Sequence, residues 1–329
     1  MNKKFLVTAS VITLAAGGSA AAVANAQSPY DPYNPYNPGT TTPTTPTTPT
    51  TPTTPTTPTT PANPNTPVVT PDGTLVYGAG ATTISIPEGA TKVIINATVP
   101  VSITGGSGNI AVSVTGTAPV TATFGAARLN FNATGGGNVT LSFQDTGGST
   151  VVTGAGSDVI RVTGSGAGTG TSVYNLGGGS NSITLPSGTV TSSRAATRAA
   201  TSYTGFRITS GSGKDTIRGG IGKLTVNSGA GADKLYGGKG TASLNGGSGN
   251  DLLKGGTGKS TKLYGSTGND KLYAGKVKTY VSAGSGKDYI SSVNGKVDTI
   301  VGGAGKDKAR AGKRDKVRSV ESVKRSKKN

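Results

Sequence analysis

The sequence predicts an all-β protein: a right-handed parallel β-roll or β-solenoid, preceded by a signal peptide and a disordered Pro/Thr-rich linker. Three observations predict it. Glycine fills 54 of 329 positions, too many for helices, since each interior glycine costs a helix about 1 kcal/mol against alanine. Short Val/Ile/Thr runs recur between glycine clusters, the pattern of short strands joined by turns. Over the last third of the chain a single apolar residue returns about every nine positions.

Composition narrows the chemistry before any element is placed. The chain has no His and no Cys, and its 32 Lys+Arg against 14 Asp+Glu give a formal net charge of +18. Ser-His-Asp triads, cysteine nucleophiles and the usual zinc sites are therefore excluded. What remains is oxygen ligands and basic side chains, which suit a hard cation or a polyanion. No acid, base and nucleophile gather in the pattern catalysis needs, so the chain reads as a non-enzyme with no small-molecule substrate.

Residues 1–26 have the three parts of a secretory signal peptide: Lys3 and Lys4, the apolar stretch Phe5–Ala16, and the small-x-small site Ala24-Asn25-Ala26. The apolar run is shorter than the ~20 residues of a membrane span, so the mature chain is expected to be secreted, extracellular or at the cell surface, with no transmembrane span. Residues 27–72 follow as the linker. Pro29, Pro32, Pro35 and Pro38 alternate with Tyr30, Tyr33 and Tyr36, and Thr-Thr-Pro then repeats with period three. Polyproline II has three residues per turn, so this segment should be extended, reaching on the order of 140 Å at ~3.1 Å per residue.

Residues 73–205 hold runs such as Thr83–Ile86, Lys92–Ile95, Val101–Ile103 and Val139–Phe143. An independent sandwich and a degenerate solenoid both fit. The segments 154–160 (GAGSDVI) and 177–183 (GGGSNSI) look like copies of the repeat downstream and favour the solenoid. The Ser/Ala/Arg-rich piece Ser187–Ser202 breaks the cadence and reads as a protruding loop.

From residue 206 to 318 the chain is periodic. Apolar residues fall at Ile217, Val226, Leu235, Leu244, Leu253, Leu263, Leu272, Val281, Ile290, Ile300, Ala309 and Val317. A unit this short is a turn plus a strand of a few residues, with one side chain pointing inward. It cannot stand alone and must stack. Two positions before the apolar residue, alternate units carry Asp215, Asp233, Asp251, Asp270, Asp288 and Asp307. If two units make a coil, these carboxylates share one edge, about 4.8 Å apart. Their turns hold Gly211 and Gly213, Gly229 and Gly231, Gly247 and Gly249, Ser266 and Gly268, Gly284 and Gly286, and Gly303 and Gly305. A bare column of Asp repels itself, so either a cation sits there or the pKa values rise. The other units carry Asp only at Asp298 and Asp315, one weaker candidate site on the second edge.

This pattern resembles the RTX, or hemolysin-type, calcium-binding nonapeptide G-G-x-G-x-D-x-U-x, for example at 246–254 (GGSGNDLLK). The resemblance implies a parallel β-roll whose turns bind Ca²⁺ through Asp carboxylates and turn carbonyls. Carried over by position, the ligands are Asp215, Asp233, Asp251, Asp270, Asp288 and Asp307, with the carbonyls of the eleven glycines named above. Calcium would be structural, its binding coupled to folding. The toxin, protease and lipase activities of the family do not carry over, because no catalytic part is recognisable.

The chain departs from the acidic character of that family. Residues 201–329 carry 25 Lys+Arg against 9 Asp+Glu, and Lys214, Lys287 and Lys306 directly precede their Asp. Nearby cations should weaken the sites toward roughly 10⁻⁴–10⁻³ M, or close some turns by Lys–Asp pairs. Outward strand positions include Arg218, Lys234, Tyr236, Lys254, Lys271, Tyr273, Tyr289, Lys308 and Arg310, followed by a basic tail at 319–329. The second functional reading is therefore a basic structural or adhesive protein that grips an anionic wall polymer or glycan, with calcium incidental. The segment 255–260 (GGTGKS) imitates a phosphate loop but lacks the earlier Gly, position 253 being Leu.

Overall fold

The computed structural model describes residues 63–163, 170–186 and 203–326, and every helix-or-strand element among them is a β-strand. The predicted signal peptide, the Thr-Thr-Pro part of the linker and the Ser187–Ser202 loop lie outside the described residues. From Leu75–Tyr77 on, successive strands alternate between two files, and apart from the pairings around Val120–Ala133 each pairs in parallel with the strand two places later. In one file Ile217, Leu235, Leu253, Leu272, Ile290 and Ala309 lie side by side. In the other, Val226, Leu244, Leu263, Val281, Ile300 and Val317 do the same. Two nine-residue units thus make one coil.

The coils run back through the degenerate region without a break. Leu75, Val93, Val112, Phe131, Val151, Tyr174, Ile208 and Val226 form one continuous file of paired residues. Ile84, Ile103, Ala122, Leu141, Ile160, Ile183 and Ile217 form the other. The independent sandwich is excluded by this pairing. Val120–Ala133 runs through both files, with its pairing offset between Thr123 and Ala126.

Each inward file is the solenoid core. It tapers along the chain. Upstream it is filled by aromatics, with Phe124 against Phe131 at 6.3 Å, Phe143 against Tyr174 at 6.3 Å, and Tyr174 against Phe206 at 5.7 Å between ring centres. Downstream each coil relies on aliphatics such as Leu235 and Leu244, both fully buried. A buried Leu stabilises by about 1.5–3 kcal/mol, little for ordering eighteen residues.

Three expectations change. Only one side chain points inward within the three-residue strands such as Lys234–Tyr236, but not within Ala242–Ser248, Thr261–Thr267 or Thr279–Gly286. There Ala242, Thr261 and Thr279 are buried as well, because period-two alternation carries the residue two before the apolar one inward too. Before residue 73, Val68–Val69 already pairs, antiparallel, with Leu75–Tyr77. After residue 318 the chain is not merely a tail. Ser322–Arg325 adds a parallel strand on Lys308–Ala311, whose backbone groups would otherwise form an open edge.

Candidate metal centre

The alternation that buries Leu235 also buries Asp233 two residues earlier. Asp215, Asp233, Asp251, Asp270, Asp288 and Asp307 are 1–2% exposed and stack coil on coil along one edge. Each is tied to its neighbour through the backbone. The N–H of Asp215 donates to Oδ1 of Asp233, that of Asp233 to Asp251, that of Asp251 to Asp270, and that of Asp270 to Asp288, each at 2.8 Å. Asp288 donates to Oδ1 of Asp307 at 2.9 Å. Every Oδ1 therefore has a donor. Every Oδ2 in the file is buried and meets no donor in hydrogen-bond geometry; the Ser210 and Ser228 hydroxyls, which pull Asp215 and Asp233 against the effect of burial, donate instead to the carbonyls of Ser228 and Gly246.

Burial is the main force on these carboxyls and pushes Asp215, Asp251 and Asp288 above the usual range. It pushes Asp233 to about 6 and Asp270 to about 7. The ladder N–H bonds pull the other way, and the carboxylates one coil away add to the rise. Burial and the neighbouring carboxylates thus favour the protonated form at Asp233 and Asp270.

The turns supply the surrounding oxygens. All of the eleven glycines except Gly211 have positive φ, and so does Ser266 at +80°. Gly231 and Gly249 show why glycine is needed. Their φ values are +143° and +129°, and a Cβ would stand 1.6 and 1.8 Å from the carbonyl oxygens of Gly213 and Gly231 one coil before. The carbonyls of Gly211 and Gly229 accept the N–H groups of Ala230 and Ser248, and each keeps a second lone pair.

Two asparagines mark where positive hydrogen belongs. Asn181 occupies the Asp position one coil before Asp215; its Oδ1 accepts the N–H of Asp158, and its Nδ2 donates to the carbonyls of Gly177 and Gly179 at 3.4 and 3.3 Å. The equivalent carbonyls before Asp215 are those of Gly211 and Gly213. An Asp there presents a carboxylate oxygen where Asn181 presents an N–H donor. On the second edge Asn294 Nδ2 bridges Gly275 O at 2.7 Å, Val277 O at 3.3 Å and Asp298 Oδ2 at 2.8 Å. That edge is closed by protein donors. Asp315 Oδ2 accepts Gly312 N–H and the Ser292 hydroxyl, and Arg325 Nη1 donates to the carbonyls of Gly312 and Asp315. The weaker site expected at Asp298 and Asp315 is therefore not supported: an amide and a guanidinium fill the role a cation would have.

Lys–Asp closure of the Asp turns is also not what the structure shows. Lys214, Lys287 and Lys306 are exposed, and the ion pair recorded among the described residues is Lys92–Asp72. Backbone alternation sends the lysine outward when the Asp turns in.

The file extends beyond the six predicted residues. Asp158 is fully buried, its Oδ1 accepts Val139 N–H, and its Oδ2 is unpartnered. Glu321 caps the other end by accepting Asp307 N–H through Oε2. Three more glycines matter. A Cβ on Gly246, Gly265 or Gly302 would stand 2.3–2.5 Å from Oδ2 of Asp251, Asp270 or Asp307. The signals were present, as the GSD at 156–158 and the Gly that opens each turn (Gly-Gly at 246 and 302, Gly-Ser at 265), but lay outside the strict 18–19-residue spacing or the Gly-x-Gly core.

Among the described residues no group of three or more acidic side chains comes together. A cation along the file would therefore draw carboxylates from adjacent coils and complete its shell with turn carbonyls. An all-oxygen donor set of this kind fits Ca²⁺, which takes six to eight oxygens in flexible geometry.

Four segments, residues 209–244, 236–259, 255–276 and 293–313, match the RTX calcium-binding nonapeptide repeat. They contain every Asp of the predicted file except Asp288. Repeats of this kind bind Ca²⁺. No curated protein and no solved structure matches the chain.

Proposed function

From the RTX calcium-binding nonapeptide repeats that residues 209–313 carry, we propose that this chain is a non-catalytic calcium-binding protein of the cell exterior, secreted or surface-held. The observation that carries the reading is the file of buried, unpartnered Oδ2 atoms from Asp215 to Asp307. The ligands would be Asp215, Asp233, Asp251, Asp270, Asp288 and Asp307 with carbonyls of the paired glycines, and Asp158 would extend the file. Bound Ca²⁺ supplies the positive charge that the edge lacks.

The chain's own residues do the positioning. The ladder N–H bonds fix each Oδ1, so rotation cannot carry Oδ2 away to solvent. Gly246, Gly265 and Gly302 leave the space into which Oδ2 turns. Closing the edge then ties coils whose apolar core is thin, which makes calcium a folding ligand. Sites flanked by lysine suit extracellular calcium levels. Export is supported by the charged, apolar and small-x-small sequence of residues 1–26 and by the lack of Cys, and no helix among the described residues is long and apolar enough to cross a membrane.

Isothermal titration of the chelator-treated chain, with far-UV circular dichroism alongside, tests this. Binding heat saturating at several ions per chain, with a gain of β signal, is expected. No heat and no spectral change at millimolar Ca²⁺ would sink it.

A further inference from the structure

The sheet built from the three-residue strands presents a flat outward face of one sign. On the six strands from Thr216–Arg218 to Lys308–Ala311 the exposed residues Arg218, Lys234, Lys254, Lys271, Lys308 and Arg310 are basic, and none is acidic. None is in an ion pair among the described residues. The opposite sheet is built differently. Over the same coils its outward positions are mainly Thr, Ser and Asn, with Lys262, Tyr264 and Tyr280 among them, and its basic residues Arg207, Lys316 and Arg318 lie toward its two ends.

The basic residues are placed in a pattern. Strand pairing puts Arg218, Tyr236, Lys254, Tyr273, Ser291 and Arg310 in one outward row, and Thr216, Lys234, Leu252, Lys271, Tyr289 and Lys308 in the other. In the second row cations recur every second coil, about 9.6 Å apart for rungs of about 4.8 Å, and the first row keeps that interval from Arg218 to Lys254 before three coils separate Lys254 from Arg310. Tyr236, Tyr273 and Tyr289 stand in these intervals, Leu252 in another, and Tyr236 and Tyr273 hold the first-row cations in place. Arg218 lies 4.5 Å from the Tyr236 ring centre, and Lys254 lies 5.8 and 5.7 Å from those of Tyr236 and Tyr273. Beside Lys254 and Tyr273 the turns open into a groove that also takes in Lys276 and Val293.

We propose that this face binds a linear acidic polysaccharide lying along the solenoid axis, its carboxylates or sulfates on the cation rows and its sugar rings on the tyrosines. A sheet with charges spaced two or three coils apart suits an extended chain with one charged group per short repeat. Nucleic acid fits worse, since its phosphates follow one another at about 3.4 Å per strand and its grooves want a protruding element. The aromatic rings offer a sugar an apolar surface that a headgroup layer does not need. The proposal stands apart from the calcium reading, which concerns the edge and not the face.

The test is a titration of the full chain, held in millimolar Ca²⁺ and checked by circular dichroism, with labelled chondroitin sulfate at stepped salt. Neutral dextran, duplex DNA and phosphatidylserine vesicles run beside it. Saturable binding to the glycan that weakens linearly in log salt is expected. The triple variant Lys234→Gln, Lys254→Gln, Lys271→Gln should lose roughly tenfold in affinity with a flatter salt slope. Arg207→Gln, Lys262→Gln, Lys316→Gln removes the same charge from the other sheet and should bind as the parent does. Tyr236→Ser, Tyr273→Ser should weaken binding at an unchanged salt slope. Equal loss in both triples, tighter binding of DNA or vesicles through the same face, or no glycan binding overturns the proposal. Glycan binding by a chain that ignores calcium would sink only the calcium reading.

Discussion

The backbone N–H of Asp233 donates to Oδ1 of Asp251 at 2.8 Å, while Oδ2 of the same Asp251 is buried with no partner. One carboxylate thus does two separable things: it stitches one coil to the next, and it leaves a buried oxygen that no protein donor meets.

Replacing one oxygen separates those roles. Asp251→Asn keeps Oδ1 and puts an amide where Asn181 already carries one. The calcium-free chain should gain about 1 kcal/mol while calcium stoichiometry falls. Asp251→Ala removes the stitch as well and should lose about 1–3 kcal/mol with the same fall in stoichiometry. Thermal melts in chelator, paired with calcium titration, check both. Equal destabilisation by the two variants would contradict the assignment of Oδ2.

The calcium-free solenoid should prefer acid. Asp233 and Asp270 titrate at about 6 and about 7 in the fold, against about 3.9 in an unfolded chain. A carboxyl raised by folding binds its proton more tightly in the fold, so its contribution is complete below about pH 4 and is lost as pH rises through 6 to 7. Chelator-treated protein should therefore melt several degrees lower at neutral pH than near the unfolded value. Saturating calcium should remove or reverse that slope. A calcium-free melting temperature that climbs from acid to neutral pH would contradict the uncompensated file.

Asn294 should matter with or without calcium. Its amide bridges Gly275 O, Val277 O and Asp298 Oδ2 on the second edge. Asn294→Ala leaves those buried acceptors without their donor and should cost about 1–3 kcal/mol in chelator and in calcium alike. Full rescue by calcium would mean that a cation enters that edge after all.

Gly231→Ala tests the turn. The new Cβ would stand 1.6 Å from Gly213 O at a φ of +143°. Backbone cannot yield there without unpairing the coil, so a loss above about 3 kcal/mol is expected. Asp mutations leave the turn standing, whereas this one should abolish calcium binding at the neighbouring coils. Near-native stability would show that the turn relaxes.

Calcium removal should loosen the chain unevenly. The upstream coils rest on Phe131, Phe143 and Tyr174, all fully buried, whereas the repeat coils rest on single aliphatics around the Asp file. Hydrogen exchange in chelator should show fast amides over 210–320 and retained protection over 93–152. Uniform loss along the chain would mean that the two parts unfold as one unit.

Much of this was legible in the residues. The nine-residue return of Ile217, Val226 and Leu235 implied coils of two units, and the placement of Asp215, Asp233 and Asp251 in alternate units implied one edge. Period-two alternation follows from backbone geometry alone, so burial of those carboxylates was implicit in the same pattern. Asp158 and Glu321 were less legible, because the coil between Asp158 and Asp215 carries Asn181 and the Ser187–Ser202 insertion, and because Glu321 reaches the ladder through a longer side chain.

Periodicity determined the coil, the row of carboxylates and the face that carries lysine and tyrosine, because local repetition forces equivalent residues into equivalent places. Tertiary structure alone decided which acceptors are satisfied. Whether Asn294 meets Asp298, and whether Oδ2 of Asp251 meets anything, depends on atoms brought together from different coils. A spacing cannot encode hydrogen-bond partnership at that range, and it is partnership that separates the edge closed by the protein from the edge whose Oδ2 atoms meet no donor.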